Sequence, residues 1–250
     1  MKVLVEYTKE NVDLSEEILC AAASNRNKGP MIFEYLFRAL GDGVNITEAV
    51  LVSAAEGGWL LEDLINLLKH RPNLPISEAV ISDVVSNEFQ GDELVEALFN
   101  HNPKISLKKV QITPRVVAAA AANKALGNEL IPLLLAEIPG IRVEEMGLET
   151  AAGNPELGEE LIKVLLHHDG NAHIGDRIME AMVKNMKRGV GIFALFLEHD
   201  PNIQISNSML KAAITNGNSK LLKVLLDRVD VNSKIPEAVV KEAIRDFRRY

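Results

Sequence analysis

One short pattern recurs along the whole 250-residue chain. Its clearest copy runs from Ile112 through Thr113, Pro114, Arg115, Val116 and Val117 to Ala120, Ala121 and Asn123. Ile76 leads in the same way to Val80, Ile81, Val84, Val85 and Asn87. Ile174 leads to Ile178, Met179, Met182, Val183 and Asn185, and Ile205 to Met209, Leu210, Ala213, Ile214 and Asn216. The pattern starts near residues 14, 46, 76, 112, 143, 174, 205 and 235, at spacings of 32, 30, 36, 31, 31, 31 and 30. Units of this size cannot bury an apolar face alone, so they must stack on one another. Residues 1–250 therefore read as one continuous repeat array, in which each unit packs mainly on its neighbours.

The local chemistry of each unit is that of a helical pair. With the start as offset zero, Ser15, Thr47, Ser77, Thr113 and Ser206 stand at offset one, where a hydroxyl can cap free backbone N–H groups. Glu16, Glu48, Glu78, Glu145, Asp176 and Glu237 follow, and acids are favourable at the positive end of a helix. Pro114 takes the first helical position, where its missing donor costs little. Apolar residues at offsets 4, 5, 8 and 9 form one helix face, as in Val50, Leu51, Ala54 and Ala55. Offset 11 carries Asn25, Gly57, Asn87, Asn123, Asn154, Asn185, Asn216 or Asp246, and the expectation is a left-handed residue ending the helix. Gly29, Gly91, Gly127, Gly158 and Gly189 then open a second helix with patterns such as Leu161, Ile162, Leu165 and Leu166. Pro72, Pro103, Pro139 and Pro201 turn the chain into the next unit.

Composition fits thin helices packed through small side chains, with 47% hydrophobic and only 4% aromatic residues. The one cysteine, Cys20, excludes an internal disulfide and suits a reducing compartment. No apolar run approaches the roughly 18 residues of a membrane span, and no secretory leader is read at the start. The expectation is a soluble, cytoplasmic chain with no membrane partner. Residues 1–103 carry 7 Lys/Arg against 17 Asp/Glu, while residues 104–250 carry 20 against 18. So acidic a first part argues against a nucleic-acid partner.

Both ends read as partial repeats, so the chain is expected to be a segment of a longer array or a domain with half-repeat caps. The 36-residue spacing adds an insertion at 104–111, rich in Lys104, Lys108 and Lys109. Such insertions project from one face of an array.

The run Val224 to Asn232 resembles the end of an ankyrin second helix with its following turn. Ala54-Ala55, Ala151-Ala152 and Ala212-Ala213 sit where ankyrin first helices carry paired alanines. No unit carries the Thr-Pro-Leu-His element, and the units are slightly short. The pattern is similar to the degenerate ankyrin-like repeats that follow nucleotide-binding modules in fungal NLR-type (STAND) receptors. The resemblance covers nearly the whole chain. It implies an all-α fold, a right-handed α-solenoid of about eight helix-turn-helix repeats with the first helices lining its concave side. It carries over no catalytic residue and no cofactor.

No nucleophile elbow or phosphate-binding glycine loop is present, and no enzyme is expected. His167, His168, Asp169 and His173 are dense in metal ligands. However, His70, His101, His168 and His199 recur at one repeat position, and equivalent residues on helices 8–10 Å apart do not share a zinc. No metal site is expected. Trp59 and Phe89 share offset 13, in the loop between the two helices. They form either an aromatic hot spot for a partner or caps over their own cores. Offsets 3, 6 and 10 face away from the buried stripe, running from small residues (Ala79, Ser82, Ser86, Ala118, Ala122) to charged ones. The expected function is binding of another protein or peptide, acidic in character, through Trp59, Phe89, Arg115, Arg177, Lys184, Lys211 and Lys241. The alternative is a structural or sensor array inside a larger receptor.

Overall fold

The computed structural model describes residues 14–59, 61–71, 74, 76–101, 112–137, 142–229, 237 and 241. All regular structure among the described residues is helical. Helices α1 (Glu16–Ala23), α2 (Gly29–Leu40), α3 (Glu48–Glu56), α4 (Leu61–Lys69), α5 (Glu78–Val85), α6 (Gly91–His101) and α7 (Pro114–Ala122) come first. Helices α8 (Gly127–Glu137), α9 (Glu145–Gly153), α10 (Gly158–His168), α11 (Asp176–Lys184), α12 (Gly189–His199), α13 (Asn207–Thr215) and α14 (Ser219–Leu226) follow. Odd numbers are the first helices of the sequence units and even numbers the second. The insertion at 104–111, the partial repeat before Leu14 and nearly all of the one after Ile235 lie outside the described residues.

The helix boundaries follow from capping. The side chains of Ser15, Thr47, Ser77 and Ser206 accept from the backbone N–H of Ile18, Val50, Ala79 and Met209 respectively. Thr113 differs, because its hydroxyl is buried and makes no hydrogen bond. The second helices open where glycine is needed for space. A Cβ on Gly189 would stand 2.6 Å from the Met182 carbonyl oxygen, so only glycine lets α12 start against the end of α11.

The chain divides into two compact units, residues 1–120 with 136–138, and residues 121–135 with 139–250. In the first unit α1 packs on α3 and α3 on α5, while α4 packs on α6. Each first helix also packs on its own second helix, α1 on α2, α3 on α4 and α5 on α6. The second unit repeats the arrangement: α9, α11 and α13 pack in succession, as do α10, α12 and α14. First helices therefore meet first helices, and second helices meet second helices.

The buried stripe is the one that periodicity predicts. Val50, Leu51, Ala54 and Ala55 are buried on α3, and Val80, Ile81, Val84 and Val85 on α5. On α11 the buried set is Ile178, Met179, Met182 and Val183, facing Leu148, Ala151 and Ala152 of α9. Leu161, Ile162, Leu165, Phe193 and Phe196 fill the layer of second helices in the second unit. Each such side chain contributes roughly 1.5–3 kcal/mol by leaving water.

The residue at offset 11 departs from expectation. Asn154 has φ −69° and ψ 115°, and Asn185 has φ −78° and ψ 91°, so neither is left-handed. Among the described residues no non-glycine has a positive φ. The reason lies in the side chain. The Asn154 amide nitrogen donates to the carbonyls of Ala121 (2.9 Å) and Asn123 (3.1 Å). Its Oδ1 accepts from the backbone N–H of Glu156 (3.0 Å) and Leu157 (3.0 Å). Asn185 does the same with the carbonyls of Ala152 (2.9 Å) and Asn154 (2.8 Å) and the N–H groups of Lys187 and Arg188. Both residues are 4% exposed. An amide has two donors and two strong acceptor positions, and each of these asparagines uses all four. Extended backbone aims the amide back at the preceding repeat, whereas a left-handed residue would turn it away.

Replacing Asn154 should therefore be costly. Asn154→Ala leaves buried carbonyls and loop N–H groups unpaired, at about 1–3 kcal/mol for each group. Asn154→Asp loses both donors and places a charge against two carbonyls. Its folded-state carboxyl pKa would lie above the unfolded value, so the deficit is largest near neutral pH and shrinks as pH falls through the folded pKa. Asn25 is exposed and makes one loop bond, to Lys28 N–H, so Asn25→Ala should cost under about 1 kcal/mol. Urea unfolding at several pH values checks all three.

Candidate functional site

The loop between first and second helix is built in two ways, and the choice decides where offset 13 points. In one form Asn at offset 11 folds its Oδ1 over the next two or three N–H groups. Asn87 accepts from Phe89 N–H (2.9 Å) and Gln90 N–H (3.0 Å) in this way. That turn throws offset 13 outward: Phe89 is 85% exposed, and Ala125, Glu156 and Lys187 are exposed too. In the other form glycine stands at offset 12. Gly58 (φ 71°) and Gly217 (φ 68°) are left-handed. The following N–H then returns to the helix, Trp59 to the Ala54 carbonyl (3.2 Å) and Asn218 to the Ala213 carbonyl (2.9 Å). Offset 13 is thereby turned inward, leaving Trp59 3% and Asn218 4% exposed.

Of the two readings of Trp59, the buried position leaves the core cap. Its indole Nε1 donates to the Ala23 carbonyl at 2.7 Å. Ala23 holds the same repeat position as Ala121 and Ala152, the carbonyls that Asn154 and Asn185 satisfy. Gly57 has no side chain to do this, and a Cβ there would stand 2.7 Å from the Ala23 oxygen. Trp59 substitutes for the missing asparagine. Its ring meets Phe33 edge-on, with centroids 5.3 Å apart, and leaves no room for a Cβ on Gly29. Trp59 and Phe89 thus form no aromatic pair at the rim, because one is turned in and the other out.

The cationic residues are all exposed. Arg115 lies on α7, Arg177 and Lys184 on α11 and Lys211 on α13. Lys184 meets Glu180 at 2.8 Å, and Lys241 meets Glu237 at 2.7 Å. The Lys184 hydrogen bond, with its charge, holds the Glu180 carboxyl below the usual range. Arg177 and Lys211 make no ion pair among the described residues. Ala118 does not belong to the outward face, being 7% exposed.

Arg177 and Lys184 come together in a groove of about 520 Å³ within the second unit. Its walls are α9 and α11, and it also takes in Ala122, Lys124, Glu149, Thr150, Gly153 and Ala181. Lys124, Glu149 and Gly153 were missed by sequence reasoning. Glu149 and Gly153 hold offsets 6 and 10 of the unit starting at Val143, so the periodicity could have found them. Lys124 follows Asn123 in the loop and carries no such signal. Gly153 is open: a Cβ built on it meets nothing within 4 Å, and its φ is not left-handed. The first unit holds another groove, of about 640 Å³, between α2 and α4. There Phe37 stacks on His70, with centroids 3.7 Å apart. Asp63 lines it, its carboxyl raised first by burial and then by Glu62.

In the histidine cluster the carboxylate is spent on backbone. Asp169 accepts from Val143 N–H (3.1 Å) and Asn171 N–H (3.2 Å), and His199 donates to the Ala172 carbonyl (2.9 Å). Among the described residues no three metal-ligating side chains come together, and no helix is long and apolar enough to cross a membrane.

A family model described as Domain of unknown function (DUF7104) matches residues 36–59 and 108–130. Each matched segment contains one first helix, α3 or α7, and ends in or just after the loop that follows it. No curated protein and no solved structure matches the chain.

Trp59 is the one tryptophan, so its state can be read by fluorescence. The native emission should be blue-shifted and poorly quenched by iodide. Trp59→Phe should cost about 1–3 kcal/mol, because the Ala23 carbonyl loses its donor. Phe89→Ala should stay within about 0.5 kcal/mol, since the ring is solvated. Chemical denaturation of the two variants decides.

Proposed function

We propose that this chain is a protein-binding module, an ankyrin-like α-solenoid that takes a protein or peptide partner on its first-helix face. The observation that carries this reading is the groove between α9 and α11. On α9 and α11 offsets 4, 5, 8 and 9 hold the stack and are buried, whereas offsets 3, 6 and 10 are spared that task. On α9, α11 and α13 they are Met146, Glu149 and Gly153, then Arg177, Glu180 and Lys184, then Ser208, Lys211 and Thr215. All of these are exposed except Glu149, which is half-buried. Met146, a member of this row, is 51% exposed, and Met186 in the loop after α11 is 57% exposed. Methionine is adaptable and is over-used on surfaces that bind partners. The solenoid reading is supported by the succession of contacts within each unit and by a repeat spacing that continues from residue 14 to 235.

The test begins with a partner captured by the full chain. Charge reversal of Arg177, Lys184 and Lys211 to Glu should raise Kd by about tenfold or more and flatten its salt dependence. Arg115→Glu in the first unit is the comparison. Unchanged affinity in the triple variant, with the fold intact by circular dichroism, would point to another face.

A further inference from the structure

The α9–α11 groove has a length, a floor and a charge, and together they restrict what it can hold. From Arg177 to Lys184 the α11 wall spans about 10 Å, at 1.5 Å per residue. The groove offers about 520 Å³ and is open to solvent along its length. An extended chain crosses the same distance with about three residues. The floor is shallowest in side chains at Gly153, where open space stands above the Cα, flanked by Ala122 and Ala181. Main chain can approach closely there.

The charge follows from pairing. Glu180 is already neutralised by Lys184. Lys124 and Arg177 make no ion pair among the described residues, and Lys211 on the neighbouring α13 makes none either. Glu149 is the only other carboxylate lining the groove. Glu156 beside Lys124 is held mainly by Lys187 and only weakly by Lys124, so the unpaired charge on this surface is mainly positive.

Resting on the protein-binding reading, we infer that this groove holds an extended acidic segment, with its main chain passing over Gly153 and flanking carboxylates directed to Arg177 and Lys124. Gly153 is then the position that admits the segment. The groove needs glycine, whereas the fold does not, because nothing surrounds the added Cβ.

The experiment uses the full chain and a fluorescein-labelled alternating Glu-Gly peptide of about ten residues, long enough to overrun the groove when extended. Fluorescence polarisation at low salt should show saturable binding that weakens as salt rises. The matching Lys-Gly peptide should not bind. Gly153→Trp and Arg177→Glu should each raise Kd by about tenfold or more, while Met31→Ala, at an exposed site in the first unit, leaves it unchanged. Arg177 is exposed, so its variant stays informative even if the tryptophan variant folds poorly. Equal affinity of native chain and Arg177→Glu for the Glu-Gly peptide would overturn the inference, as would absence of binding. A random peptide library panned on the native chain separates the two levels. Non-acidic binders blocked by Gly153→Trp would overturn the acidic segment and leave the protein-binding groove standing. A library that yields no binder at all would count against both.

Discussion

A first helix ends in carbonyls that the next repeat then covers. Each covered carbonyl must find a donor, since a buried unpaired polar group costs as much as the contacts around it contribute. In the second unit the donor is the amide of Asn154 or Asn185, reaching back about thirty residues to the carbonyl at offset 9. The same amide holds its own loop through Oδ1. One side chain therefore fixes the loop and the spacing of neighbouring repeats together. The alanines at offsets 8 and 9, Ala151 and Ala152 for example, allow the close approach that brings the carbonyl within reach.

Trp59 supports this account because it solves the same problem with different atoms. Where offset 11 is Gly57, the loop closes through left-handed Gly58, and an indole N–H arrives at Ala23. Asn218 follows the same loop form behind Gly217, and its Oδ1 caps α14 by accepting from Leu221 N–H, while its buried Nδ2 finds no partner among the described residues. At Trp59 and at the asparagines, two loop types thus serve one architectural demand. They differ in what they present to solvent: asparagine loops expose offset 13, and glycine loops bury it. Surface available to a partner is set by a loop choice that stability makes first.

The proposed binding surface is what remains after these demands are met. Offsets 3 and 10 on α7, α9 and α11 are exposed, so they are free to differ between repeats. The groove arises where two of them, Gly153 and Ala122, are small and their neighbours on α11 are long and charged. Partner contacts there compete with local ion pairs such as Lys184–Glu180, which solvent screens at an exposed site.

Helix positions, the buried stripe and the serine and threonine caps were legible in the sequence, because a helix repeats every 3.6 residues and its caps act within three. Ser15, Thr47, Ser77 and Ser206 and the sets around Val50, Val80 and Ile178 behave as that local physics requires. The face of Trp59, the extended backbone of Asn154 and Asn185, and the open space over Gly153 were not legible in that way. Each depends on atoms about thirty residues distant: a carbonyl to be satisfied for Trp59 and the asparagines, a facing wall for Gly153. Sequence alone determined which residues form helices and which face each helix buries. Tertiary structure decided which polar atoms meet across repeats, and so which loop residues are left for a partner.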